Sequence, residues 1–136
     1  MTLSPCSGRS SLIYLDTHVV VWLYAGLTDR FSDSLQKMLN EQDLLISPIV
    51  RLELQYLYEI KRVTVEAKAI LSDLSQRLGL TVCPKPFDTI IVHATQVTWT
   101  RDPFDRILVA HASVNDNILV SKDQIILTHY PYTRWV

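Results

Sequence analysis

Four acids, Asp16, Glu53, Asp105 and Asp123, fall where a short apolar run ends or on the apolar side of an expected helix, where a folded domain rarely leaves a bare charge. A carboxylate withdrawn from water without a partner is costly, so such a set calls for cations from the chain or for a bound metal ion that neutralises them together. Oxygen ligands collected from separated segments are the way Mg²⁺ or Mn²⁺ is held in phosphoryl-transfer sites. Thr17 and Ser121 flank Asp16 and Asp123, and their hydroxyls are candidates to orient a carboxylate or a metal-bound water.

The four acids are not equivalent. At 100° per residue Glu53 lies within about 60° of Ile49, Tyr56, Leu57 and Ile60, so it is expected to point inward with the apolar stripe of its helix. Asp105 is stacked among Leu108, Val109 and Ala112 in the same way, while Asp102 followed by Pro103 forms an N-terminal helix signature with Asp102 as N-cap. Asp16 and Asp123 each suit the cap of a following helix, and only their conjunction with the other two points to a ligand set. His18 is read as structural, and His93, His111 and His129 lack the partner spacing of a zinc site and are given no role.

The elements that must position these groups follow from apolar runs and their stop signals. Residues 1–11 are expected to be a flexible leader, and 12–136 a single domain. Strands are expected at Leu12–Leu15, Leu44–Ser47, Leu80–Cys83 and Ile118–Ser121, with a fifth at Thr133–Val136. Between them, helices are predicted over Thr17–Ala25 with Gly26 as stop, Ser32–Glu41, Pro48–Lys61, Val65–Leu78 capped by Thr64 and stopped by Gly79, Phe87–Gln96 and Pro103–Asn115, with a turn at Gln124–Leu127. Apolar strands alternating with helices indicate an α/β fold whose parallel sheet is covered on both faces and binds ligands beyond the carboxyl ends of its strands. Asp16 and Asp123 both belong at that edge.

Composition removes several classes. The apolar stretch from Leu12 to Leu27 is broken by Asp16 and His18 and falls short of the roughly 20 residues that span a bilayer, so no membrane association is expected. Two cysteines, Cys6 and Cys83, are too few for a secreted disulfide framework, so a reduced pair and a cytoplasmic location are expected. The net charge of −1 argues against a broadly basic nucleic-acid sleeve. Setting the four acids aside from the 14 acidic residues nevertheless leaves ten against 13 basic ones, which permits a positive rim from Arg101, Arg106, Lys122 and Arg134.

Leu-Asp-Thr-His at 15–18, Glu53 within Ser-Pro-Ile-Val-Arg-Leu-Glu-Leu, Asp-Pro-Phe-Asp-Arg-Ile-Leu-Val-Ala-His-Ala at 102–112 and Val-Ser-Lys-Asp at 120–123 together resemble a PIN-domain ribonuclease of the VapC toxin type. The resemblance runs from Leu12 to the terminal Tyr-Thr-Arg-Trp. It implies a three-layer PIN-like fold with a central parallel sheet of four to five short strands. It also implies an Mg²⁺- or Mn²⁺-dependent endoribonuclease that cuts RNA to leave a 5′-phosphate and a 3′-hydroxyl. Asp16, Glu53, Asp105 and Asp123 would be its catalytic, metal-binding acids and Asp102 an auxiliary one, with a cognate antitoxin and a homodimer as partners. The family often has Thr-Arg-Asp where this chain has Ser121-Lys122-Asp123, which keeps both the hydroxyl and the charge. A catalytically inactive PIN-like interaction or regulatory module is the competing reading. A receiver domain would need an acid after Leu80–Cys83, and a haloacid-dehalogenase-type phosphatase would need one at His18.

Overall fold

A computed structural model of the chain describes residues 12–136, so the expected leader lies outside the described residues. Five strands, β1 (Leu12–Leu15), β2 (Asp43–Ile46), β3 (Thr81–Val82), β4 (Ile118–Val120) and β5 (Thr133–Arg134), form one sheet in the order β3-β2-β1-β4-β5. Every pairing is parallel. All four residues of β1 are buried. Because successive strand side chains point to opposite faces, both faces of the sheet must be covered, as expected for a three-layer α/β domain.

The covering helices are α1 (Thr17–Ala25), α2 (Asp33–Glu41), α3 (Pro48–Glu59), α4 (Ala67–Leu78), α5 (Phe87–Ala94), α6 (Pro103–Ser113) and α7 (Gln124–His129). The chain winds outward from β1 through β2 to β3, then returns across the sheet to β4 and winds the other way to β5. The reversal falls between β1 and β4. In an open parallel sheet that switch point opens a crevice beyond the strand ends. Asp16 follows β1 and Ser121 follows β4, so the topology delivers both to this crevice.

Several boundaries differ from expectation for local reasons. Ser47 leaves β2 to cap α3, its hydroxyl accepting from the Ile49 N–H at 3.2 Å. Helix α4 starts at Ala67 rather than Val65 and is not capped by Thr64; the side-chain oxygen of Gln55, on α3, accepts the Ala67 N–H at 3.2 Å instead. Gly26 and Gly79 end α1 and α4 in the left-handed region, at φ 73° and 68°, where a Cβ is disfavoured. The short 3-10 turn at Thr28–Arg30 was not expected. Nor is Cys83 reduced, being disulfide-bonded; Cys6 lies outside the described residues. Among the described residues no helix is long and apolar enough to cross a membrane.

Candidate active site

Asp16 is fixed by the sheet before its side chain acts. Its N–H donates to the Val120 carbonyl at 3.0 Å, extending the β1–β4 pairing by one residue. Its carboxylate accepts the Thr17 N–H at 2.6 Å on Oδ1 and the Ser121 hydroxyl at 2.6 Å on Oδ2. The Ser121 oxygen in turn accepts the Asp123 N–H at 3.0 Å. Ser121 is fully buried and so joins two of the four acids through one hydroxyl. Asp123 caps α7, its Oδ1 accepting from Ile125 at 2.8 Å and Ile126 at 3.1 Å.

Thr17, also fully buried, donates its hydroxyl to Glu53 Oε1 on the neighbouring α3. Glu53 is thus brought to Asp16 through the residue that follows Asp16. Half of the apolar stripe beside it lies at the surface. Tyr56 is 51% and Ile60 44% exposed, while Val50 and Leu54 are the residues of α3 that enter the core. Glu53 sits at the margin between those faces, and the Thr17 hydroxyl rather than the stripe holds it toward the site.

Asp102 caps α6, as its sequence predicts, accepting from Phe104 at 2.8 Å and Asp105 at 3.4 Å. Asp105 in the first turn shares α6 with the buried Leu108, Val109 and Ala112. Burial, reinforced by the negative charges of Asp102, Asp16, Asp123 and Glu53, pushes its carboxyl up to about 7. Burial also raises Asp16, against the opposing Ser121 and Thr17 hydrogen bonds and the nearby His18, with the Asp123 charge adding to the rise. It raises Glu53 likewise, opposed by the Thr17 hydrogen bond and His18 and aided by Asp16 and Asp102. Five acids from four segments therefore lie within electrostatic reach of one another.

Among the described residues no lysine or arginine forms an ion pair with them. Among the described residues the one ion pair is Arg77 with Asp73, 2.7 Å apart on α4. Of the cations expected to rim the site, Arg106 donates to the carbonyls of Ala94 and Thr95, and Arg134 to those of Pro131 and Thr133. The donor set, all carboxylate and hydroxyl oxygen, suits a hard divalent cation. Among the described residues no three His, Cys, Asp or Glu side chains already form a cage for an ion, so binding one requires the carboxylates to draw together. The chemistry of the donors fits a metal; their spacing is that of an open site.

Two surface clefts are lined by none of these acids. A cleft of about 380 Å³ is lined by Arg51, Lys68 and Thr81, and one of about 480 Å³ by Tyr58, Glu59 and Lys61. Charge decides here, because four carboxylates at a switch point need an explanation that a shallow groove does not.

One buried polar residue had no sequence signal. His111 is 1% exposed, its Nδ1 lies 2.8 Å from the Ser47 hydroxyl and 3.2 Å from the Ile107 carbonyl, and burial lowers its pKa to about 4. It links β2's end to α6 as a neutral ring. Only its spacing of four residues from Ile107 hints at this role.

The PIN domain family profile matches residues 13–130. No curated protein sequence matches the chain. Among solved structures, VapBC2 from Rickettsia felis bound to a DNA fragment from its promoter is 20% identical with a TM-score of 0.61, over 90% of this chain and 95% of that one. DNA-bound VapBC from Salmonella typhimurium is 18% identical with a TM-score of 0.59, over 90% and 94%. VapBC-1 from nontypeable Haemophilus influenzae is 15% identical with a TM-score of 0.61, over 92% and 96%. At these identities the likeness speaks for the fold, and the family match over nearly the whole domain establishes that the chain belongs to the PIN domain family.

Proposed function

We propose that the protein is a Mg²⁺- or Mn²⁺-dependent endoribonuclease acting in the cytoplasm as the toxin of a toxin–antitoxin pair. The observation that carries this reading is the raised pKa of Asp16, Glu53 and Asp105 at the sheet's switch point, in a PIN domain, with no lysine or arginine ion-paired to them among the described residues. Asp16, Asp105 and Asp123 would hold the ion and Glu53 would complete the set. When bound, a divalent ion supplies a lowered pKa for water and neutralises charge on a scissile phosphate.

The chain's own residues do the positioning. Ser121 holds one oxygen of Asp16 and the backbone of Asp123, and Thr17 holds Glu53 against the same centre. Asp102 and Asp123 fix the first turns of α6 and α7 by accepting their backbone N–H groups. In the hydrolysis, the oxygen of water bonds to phosphorus and the bond from phosphorus to the 3′-oxygen breaks. A 5′-phosphate and a 3′-hydroxyl result.

A cognate antitoxin and a second copy of the chain are the proposed protein partners. The VapBC structures that share the fold support the first. An apolar row on α3 and its end, Leu52, Tyr56 and Ile60, is 44–58% exposed, and such patches mark protein contacts. An inactive PIN-like module is the second reading, favoured by the open spacing of the acids.

The deciding experiment incubates the purified chain, stripped of any partner, with single-stranded RNA in Mg²⁺, in Mn²⁺ and in EDTA, alongside Asp16→Asn and Asp105→Asn. Metal-dependent cleavage lost in both variants is expected. Cleavage that survives both substitutions would remove the acids from the mechanism.

A further inference from the structure

Beside the acids lies an aromatic cluster whose members come from distant parts of the sequence. Trp22 meets Trp135 edge-on at 5.4 Å between ring centroids, and Phe31 meets Trp135 at 5.5 Å. His18 lies 6.2 Å from Trp22 and is close enough to Asp16 and Glu53 to favour their charged forms. At the other end, the Ser121 N–H donates to the Arg134 carbonyl at 3.2 Å, which sets Trp135 beside the Ser121-Lys122-Asp123 segment. The cluster therefore borders the carboxyl edge of the sheet from α1 to β5.

Two exposed cations rest on it. The Arg30 guanidinium lies 5.2 Å from the Trp22 ring centroid and the Lys122 ammonium 5.9 Å from that of Trp135. Lys122 immediately precedes Asp123, yet it forms no ion pair with that acid or with any other described one, and the same is true of Arg30. A ring face holds a cation without neutralising it. Both charges are thus restrained in place and left available to an anion; Arg106 and Arg134 are instead tied to backbone carbonyls.

We propose that Arg30 and Lys122, seated on Trp22 and Trp135, are the phosphate-positioning residues of the site, holding the backbone of a single-stranded RNA across the edge that carries the acids. The inference rests on the nuclease reading above for the identity of the strand. The tryptophans act through the cations they hold. The two charges supply a local positive edge on a chain whose net charge is −1, which explains how an acidic protein accepts a polyanion beside five carboxylates.

Binding of a labelled oligouridylate of about 12 nucleotides, followed by fluorescence anisotropy in EDTA so that nothing is cleaved, separates this proposal from the nuclease reading. Each lost phosphate contact lowers the slope of log affinity against log salt by about 0.7 on a single strand. Between 50 and 200 mM salt, Lys122→Ala and Arg30→Ala should each therefore lose about 2.5-fold less affinity than wild type. At the low-salt end each should bind several-fold more weakly. Trp135→Leu should behave like Lys122→Ala, and Trp135→Phe, which keeps a ring face, should retain most of the wild-type slope. Arg77→Ala, with the same change in net charge, should bind as wild type does.

Unchanged slopes in Lys122→Ala and Arg30→Ala, or weaker binding with the wild-type slope, would overturn the rim even if the protein cleaves RNA. Intact RNA binding in these variants, with loss of binding to a poly-glutamate peptide, would assign the rim to an acidic protein and overturn it equally. Reduced slopes in a protein that never cleaves would leave the rim standing and refute the nuclease reading instead.

Discussion

Asp105→Asn should inactivate the protein and yet stabilise its metal-free fold in alkaline solution. The Asp105 carboxyl rises from 3.8 to about 7, and the shift corresponds to about 4 kcal/mol between its charged and neutral forms. Because the side chain is only partly buried, water screens a good part of this, and about 2 kcal/mol is the reasonable expectation. The sign follows from the folded protein binding the proton more tightly than the unfolded chain does. The stabilising contribution is complete below the unfolded value near 4 and is lost as pH rises through the folded value near 7. Asparagine never pays the ionisation cost, so the variant and wild type should melt together near pH 4 and separate by pH 8. At about 3–5 °C per kcal/mol for a domain of this size, the variant should melt roughly 5–10 °C higher at pH 8. Thermal melts in EDTA from pH 4 to 8 measure the separation directly. A variant that melts at or below wild type at pH 8 would refute the claim that the site holds Asp105 ionised at a cost.

The other acids and their hydroxyl partners give sharper contrasts between function and fold. Glu53→Gln keeps an oxygen to accept the Thr17 hydroxyl, so it should melt no lower than wild type above pH 7 while turnover falls at least about 100-fold; retained turnover would take Glu53 out of the site. Ser121→Ala should lose about 1–3 kcal/mol in chemical denaturation and need roughly tenfold more metal for half-maximal cleavage, with Ser121→Thr restoring the metal requirement. A loss of stability at an unchanged metal requirement would leave Ser121 a purely structural link. Mg²⁺ at about 100 times its dissociation constant should stabilise wild type by about 2.7 kcal/mol in thermal melts and Asp105→Asn far less, whereas no stabilisation of wild type would support an inactive module.

How far these residues speak for themselves depends on whether their partners are near in sequence. Helix α1 is legible from end to end because Asp16 starts it and Gly26 stops it within a single segment. The start of α6 is equally legible from Asp102 and Pro103. The start of α4 is not, because its capping oxygen belongs to Gln55 on another helix. Glu53 shows the same limit inside the site. Its helix carries an apolar row that suggests a buried face, but Tyr56 and Ile60 of that row are exposed on the finished fold, and the Thr17 hydroxyl, 36 residues away, bonds Glu53. The backbone carbonyls that hold Arg106 and Arg134 of the expected positive rim cannot be anticipated from side-chain type. Lys122 meets the ring of Trp135, which follows it by 13 residues.

Helix capping and metal binding, which looked like rival explanations for Asp16, Asp102 and Asp123, make the same demand on the backbone. A parallel sheet with helical crossovers brings each strand's carboxyl end to the N-terminus of a following helix, and those N-termini favour Asp, Ser or Thr as caps. Asp16 meets that need after β1, Ser47 after β2 and Asp123 after β4, so the ordinary economy of capping already places oxygen donors along one edge. What capping does not explain is Asp105 and Glu53, which lie within helices rather than before them, are raised in pKa by burial and by their neighbours' charge, and cap nothing. Those two turn a row of caps into a converging set. Their neutralisation, more than that of any cap, is therefore the test of whether this edge does chemistry: Asp123→Ser keeps a cap on α7 and should cost little stability, whereas Glu53→Gln and Asp105→Asn touch no cap and should lose cutting without losing stability.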